Sequence, residues 1–227
     1  MVTIYDWIPD TKNRLKLMGT VWTFGDSLTE GFKSGDLWAR TYVNWKGYIP
    51  LTYGEIVASN FEYQIINLGK GGSDNYTIFE TFCKNVNKIK ENDIVIIGWS
   101  DVGRFRLATK TNDWTSLVPN FNNNFTNLEN ISSQTTMEIS VNRLSKVYYD
   151  EVNIWINFME NTINNFKIIN WSTFNGGKIN GLFVKELNQI TNETKGEIQD
   201  AHFSEIGQKQ LSEILLKEIK GNNEKIL

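Results

Sequence analysis

His202 is the only histidine in the chain, and it stands in Gln199-Asp200-Ala201-His202-Phe203-Ser204. Imidazole is the side chain whose ordinary titration falls nearest neutral pH, so proton transfer has a single obvious candidate. Far upstream, an apolar run ends in Phe24-Gly25-Asp26-Ser27-Leu28-Thr29-Glu30-Gly31. A serine hydroxyl is a weak nucleophile until a base takes its proton. If Ser27 and His202 meet, His202 can accept that proton and later pass it to a leaving alcohol. Asp200 can then orient the imidazole and stabilise its charged form. Backbone N–H groups at a helix start beside Ser27 can stabilise developing negative charge. If the two residues do not meet, little else in the chain points to chemistry. Taken alone, Gly25-Asp26-Ser27 reads equally as a turn with a helix cap.

The elements that must position these residues follow from the apolar patterning. Thr20-Val21-Trp22-Thr23-Phe24 is short, β-branched and aromatic, which predicts a strand ending at Gly25. Tyr63 to Leu68 predicts a second strand, followed by the glycine turn of Gly69, Gly71 and Gly72. Asp93 to Gly98 predicts a third, so continuously apolar that helices must cover both its faces. Phe166 to Trp171 predicts a fourth. Helices are expected over 50–60, 73–87, 137–158 and 204–219, the last with Ser204 as its cap. The stretch from Gly31 to Gly47 reads as an irregular excursion, and 103–135 as a polar, substrate-facing loop insertion. This alternation predicts one α/β domain over 1–227 with a parallel sheet. Ligands of such sheets bind outside the carboxyl ends of the strands. Ser27, Gly72 and Ser100 each follow such an end, and His202 precedes the last helix.

Four separated blocks resemble the SGNH/GDSL hydrolase family. Phe24 to Gly31 is similar to its nucleophile block. Asn67-Leu68-Gly69-Lys70-Gly71-Gly72 is similar to its second block, Gly98-Trp99-Ser100-Asp101 to its third, and His202-Phe203-Ser204 with Gly207 to its last. The resemblance implies a flavodoxin-like three-layer α/β/α sandwich with a central parallel sheet of about five strands. It implies ester hydrolysis through an acyl-enzyme, without a cofactor or metal. It also implies Ser27 and His202 as catalytic residues. The N–H groups of Ser27 and Gly72, helped by Ser100, would form the oxyanion hole; Asp26 is expected to hold the nucleophile turn through hydrogen bonds, and Asp101 to play a similar part beside Ser100.

The chain departs from the family pattern twice. Ser100 replaces an asparagine whose amide would donate to the oxyanion, and losing such a donor costs roughly 3 kcal/mol. Gln199 occupies the usual acid position three residues before histidine, while Asp200 stands two before. Asp200 is the expected acid, with a Ser-His dyad or Glu197 as the alternatives. The expected function is removal of a short acyl group, foremost acetyl, from a carbohydrate oxygen. The polar insertion, which carries Trp114, and the carbohydrate esterases of the resembled family favour sugar over lipid. Trp99 and Arg104 are candidate substrate contacts, although Arg104 and Arg106 fit a solvated surface as well. The competing reading is a non-catalytic glycan-binding or structural module on a degenerate hydrolase scaffold.

Composition sets the remaining bounds. A net charge of -3 without a basic patch argues against a nucleic-acid partner, leaving a small ester or an acylated glycan. The single cysteine, Cys83, excludes an intrachain disulfide and a Cys-rich metal site, and its helical context predicts an inert buried thiol. No apolar stretch approaches the ~18 residues of a membrane span. The amino-terminal residues lack a basic segment followed by an apolar one, so no secretory signal is expected. A soluble protein, cytoplasmic or released without a cleavable signal, fits these features.

Overall fold

The computed structural model describes residues 19–101, 104–108, 114–117, 145–174 and 178–221. Its strands are β1 (Thr20–Phe24), β2 (Gln64–Asn67), β3 (Ile94–Gly98), β4 (Phe105–Ala108), β5 (Trp114–Leu117), β6 (Lys167–Ser172) and β7 (Leu182–Phe183). Its helices are α1 (Ser27–Glu30), α2 (Leu37–Lys46), α3 (Tyr53–Phe61), α4 (Asn75–Asn85), α5 (Ser145–Thr162), α6 (Ile190–Glu193) and α7 (Glu205–Gly221). Five strands form one parallel sheet in the order β2-β1-β3-β6-β7.

Side chains alternate across a strand, and that alternation divides the core in two. Val21 of β1 and Ile94 and Ile96 of β3 pack with Val57 of α3 and Leu211 and Leu215 of α7. Trp22, Phe24, Val95 and Ile97 point the other way, onto Ile78 and Phe82 of α4 and Val152 and Ile156 of α5. The result is a three-layer α/β/α sandwich around a five-stranded parallel sheet. It agrees with the fold that the family resemblance implies and with the covered parallel sheet expected from the continuous apolar character of β3. Local signals start the helices. Thr52 and Glu55 form a reciprocal capping box at α3. The Asp74 side chain caps α4 by accepting from the Thr77 N–H. Among the described residues, no helix is long and apolar enough to cross a membrane.

Several local expectations are corrected. The excursion at Gly31–Gly47 contains a 3-10 turn and the ten-residue helix α2. Only Ala39 and Tyr42 of α2 are buried, so its apolar stripe is too narrow to stand out in the pattern. Residues 105–108 and 114–117 pair as an antiparallel ribbon within the expected loop insertion. Apart from Arg104, the rest of that insertion, and residues 137–144 of the expected helix, lie outside the described residues. Strand β7 is a two-residue edge strand that carries no pattern of its own. Cys83 is exposed, not buried, and partial burial pushes its thiol pKa up rather than down.

Candidate active site

The turn after β1 is built to present one hydroxyl. A side chain at Gly25 would collide with the Thr29 hydroxyl, so the chain can pass there only as glycine. Asp26 then caps α1, accepting from the Leu28 N–H at 3.0 Å. Ser27 is the first residue of that short helix. The loop after β2 is tied onto the same turn. The Lys70 N–H donates to the Gly25 carbonyl at 3.0 Å, and the Gly71 N–H donates to Glu30 at 2.7 Å. A side chain at Gly71 would stand 3.9 Å from the Ser27 Cβ, so the two backbones abut. Gly72 follows with φ of 76°, a left-handed conformation that favours glycine.

The segment before α7 brings the histidine to this turn. It is pinned by hydrogen bonds from the Ile190 N–H to the His202 carbonyl at 2.9 Å and from the Thr191 N–H to the Asp200 carbonyl at 3.0 Å. His202 Nε2 lies 2.9 Å from Ser27 Oγ, and His202 Nδ1 lies 2.6 Å from Asp200 Oδ1. The same Asp200 oxygen accepts the His202 backbone N–H at 2.8 Å. An aspartate two residues ahead can close this local turn onto the histidine's own amide. That turn is why Asp200 reaches the ring despite the short spacing. Burial alone would raise the Asp200 carboxyl, but the His202 ring and backbone N–H groups outweigh it and hold the pKa below the ordinary aspartate value. The carboxylate fixes Nδ1 as the protonated nitrogen and leaves Nε2 to accept the Ser27 O–H. Gln199 is exposed and donates instead to the Gly196 carbonyl, while Glu197 accepts from the Trp45 indole.

Trp38 lies flat on the imidazole, with ring centroids 3.9 Å apart and planes 2° apart. Its helix, α2, is anchored at the far end to the His202 side of the molecule. Lys46 bridges Glu193 and Glu205, and the Tyr42 hydroxyl donates to Glu193 and accepts the Glu205 N–H. Burial opposes the charge on Glu205, yet Lys209, Lys46 and Tyr48 bring its pKa down to about 2. Sequence reasoning missed this stack because α2 itself was not expected.

Other expected site residues fall elsewhere. Trp99 is not a substrate contact. It is 1% exposed in the core, and its indole N–H donates to Asn170. Ser100 is also fully buried, and its hydroxyl donates its only proton to Asp26 at 2.8 Å. This corrects the expectation that Ser100 serves an oxyanion. Asn75, which the sequence reading passed over in an asparagine-rich chain, grips the Ser100 backbone through two hydrogen bonds of 2.7 and 3.0 Å. Arg104 is not a freely solvated surface residue, since it pairs with Asp26 at 3.0 Å. The Asp101 carbonyl accepts the Arg104 N–H, and the Asp101 charge raises the Tyr149 pKa secondarily to burial.

A cavity of about 520 Å³ opens on Ser27 and His202. Arg104, Thr173, Glu186, Gln189 and Gln199 give it polar walls, and Phe174, Leu187 and Phe203 give it apolar ones. A pocket of mixed polar and apolar walls above a Ser-His-Asp chain is suited to acyl transfer from an oxygen ester.

A family model described as GDSL-like lipase/acylhydrolase matches residues 21–215. No curated protein matches the sequence. Among solved structures, the acetyl xylan esterase AlAXEase is 13% identical, with a TM-score of 0.45, over 88% of this chain and 99% of that one. A G-D-S-L family lipolytic protein described as putative, from Desulfitobacterium hafniense DCB-2, is 13% identical with a TM-score of 0.43, over 86% of this chain and 96% of that one. A catalytic mutant of Axe2, an acetylxylan esterase from Geobacillus stearothermophilus, is 12% identical with a TM-score of 0.43, over 89% and 94% of the two chains. The family model spans most of the chain and both ends of the candidate site, and the chain belongs to the GDSL-like lipase/acylhydrolase family, whose members hydrolyse acylated substrates.

Proposed function

We propose that the protein is a serine esterase that removes short acyl groups, foremost acetyl, from carbohydrate oxygens through an acyl-enzyme. The observation that carries this reading is the 2.9 Å approach of Ser27 Oγ to His202 Nε2, with Asp200 2.6 Å behind the ring. Ser27 attacks the ester carbonyl as His202 takes its proton. The carbonyl oxygen becomes negative and rests against the N–H groups of Ser27 and Gly72. His202 returns the proton to the leaving alcohol, and water, activated by the same imidazole, releases the acid. The polar side chains on the cavity walls, Arg104, Glu186, Gln189 and Gln199 among them, support the carbohydrate half of the reading, since sugar hydroxyls need hydrogen-bonding partners.

The Trp38 stack acts on the charged imidazole of this mechanism. An aromatic face stabilises the charged imidazole by about 1–2 kcal/mol through cation–π attraction, and it limits ring rotation. Trp38→Ala is therefore expected to lower kcat on p-nitrophenyl acetate by about five- to thirtyfold, with little change in KM. An unchanged kcat would show that the Asp200 hydrogen bonds alone hold the ring.

An ester panel tests the substrate class. Acetylated xylo-oligosaccharides and acetylated hexoses are expected to give the highest kcat/KM. Activity should fall steadily as p-nitrophenyl acyl chains lengthen. A preference for octanoyl over acetyl esters would overturn the short-acyl reading, and failure on every acetylated sugar would overturn the carbohydrate one. The reading of a non-catalytic module rests on the commitment of Ser100 to Asp26. It predicts a folded protein that leaves the whole panel intact and is not labelled at Ser27 by a fluorophosphonate.

A further inference from the structure

The side chain at the family's third block cannot serve an oxyanion here. Ser100 gives its only O–H to Asp26, and the Asn75 amide is clamped on the Ser100 backbone. Turning either toward the cavity would leave a buried polar group unpaired. Arg104 is differently placed. Its Nη1 donates to Asp26 at 3.0 Å and reaches the Ser73 carbonyl at 3.4 Å. Asp26 immediately precedes Ser27, and Ser73 immediately follows Gly72. The guanidinium thus bridges the two backbone turns whose N–H groups would receive the oxyanion. Arg104 also lines the same cavity as Ser27 and His202.

We propose that Arg104 is a catalytic residue that donates a hydrogen bond to the oxyanion in place of the missing asparagine. The proposal rests on the serine-esterase reading. Guanidinium carries five N–H donors in a rigid fork and stays protonated throughout the working pH range. With Nη1 held by Asp26 and Ser73, the remaining donors are on Nε and Nη2. When the Ser27 Oγ–carbon bond forms, the carbonyl π pair moves onto oxygen and the serine proton moves to His202. Arg104 gains and loses no proton in this step. It meets new negative charge with a charge-assisted hydrogen bond. Asp26 orients the fork while offsetting part of its charge.

The test compares the parent with Ser27→Ala, Arg104→Ala, Arg104→Lys and the double variant Asp26→Asn/Arg104→Ala on p-nitrophenyl acetate. Arg104→Ala is expected to lower kcat by about 100-fold with KM little changed. Guanidinium chloride below denaturing concentration should restore part of that loss, and sodium chloride of equal ionic strength should not. Arg104→Lys keeps the charge and the Asp26 pair but loses the fork. It is expected to fold and to lose about tenfold or more, which decides the matter if Arg104→Ala does not fold. The double variant removes the carboxylate that Arg104 neutralises, and it is expected to stay slow. Full activity in Arg104→Lys, or recovery in the double variant, would reduce Arg104 to a counterion of Asp26. An inactive parent, or an unaffected Ser27→Ala, would instead remove the esterase reading itself. With an active parent and an inactive Ser27→Ala, an unaffected Arg104→Ala removes the Arg104 assignment alone.

Discussion

Ser27→Ala is expected to yield a folded protein that turns over p-nitrophenyl acetate at less than about a thousandth of the parent rate. The large effect follows from the division of labour around one oxygen. His202 can only accept a proton that a nucleophile gives up, and Ser27 Oγ is the hydroxyl bonded to its Nε2. Removing that oxygen leaves the cavity and the backbone N–H groups intact but removes covalent chemistry. The fold has little stake in the hydroxyl. Asp26 caps α1, Gly25 carries the turn, and the β2 loop bonds to backbone and to Glu30. The loss of one hydrogen bond costs about 1 kcal/mol, so thermal unfolding should shift by only a few degrees. The check is steady-state turnover beside a melting curve, with fluorophosphonate labelling of the parent. Equal turnover in variant and parent would remove Ser27 from the mechanism.

The features legible in the sequence are those with local physical signatures. β3 could be read because a strand buried on both faces must be apolar at nearly every position, as Ile94–Gly98 is, and β1 because its β-branched and aromatic residues end at Gly25. The Ser27–His202 meeting could be read because a strand-end turn and a lone histidine leave few pairings. Asp200 could be read because its link to His202 is local, although its mechanism, a single oxygen serving both amide and ring, is visible only in three dimensions. Features decided by tertiary packing were not legible. A tryptophan just past a strand can point into the cleft or into the core, and Trp99 points to Asn170. A hydroxyl at Ser100 can serve substrate or scaffold, and the choice falls to Asp26, 74 positions away in the chain. Helix α2 is held by ion pairs to residues near the carboxyl end of the chain, so its own periodicity is weak and its Trp38 was hidden with it.

Asp200→Asn is expected to lower kcat by about 10³- to 10⁴-fold, whereas Gln199→Ala should stay within about twofold of the parent. Asparagine has nearly the shape of aspartate and can still accept the His202 backbone N–H, so the local turn should survive. It lacks the charge that stabilises imidazolium when the Ser27 proton arrives. If its amide turns its NH₂ group to the ring, it also reverses the tautomer and leaves Nε2 protonated, unable to act as a base. Gln199 has no such part, since its side chain bonds the Gly196 carbonyl at the surface. Stability should move separately from rate. The Asp200 carboxyl is held below its ordinary value, so the ionised carboxylate stabilises the fold above the unfolded pKa of about 3.9. That contribution fades as pH falls through the lower folded pKa. Melting temperatures of parent and Asp200→Asn should therefore differ most above about pH 5 and converge in stronger acid. A large loss from Gln199→Ala with none from Asp200→Asn would move the acid role to the family's usual position. A rate loss in Asp200→Asn matched by unfolding at every pH would make Asp200 a structural residue only.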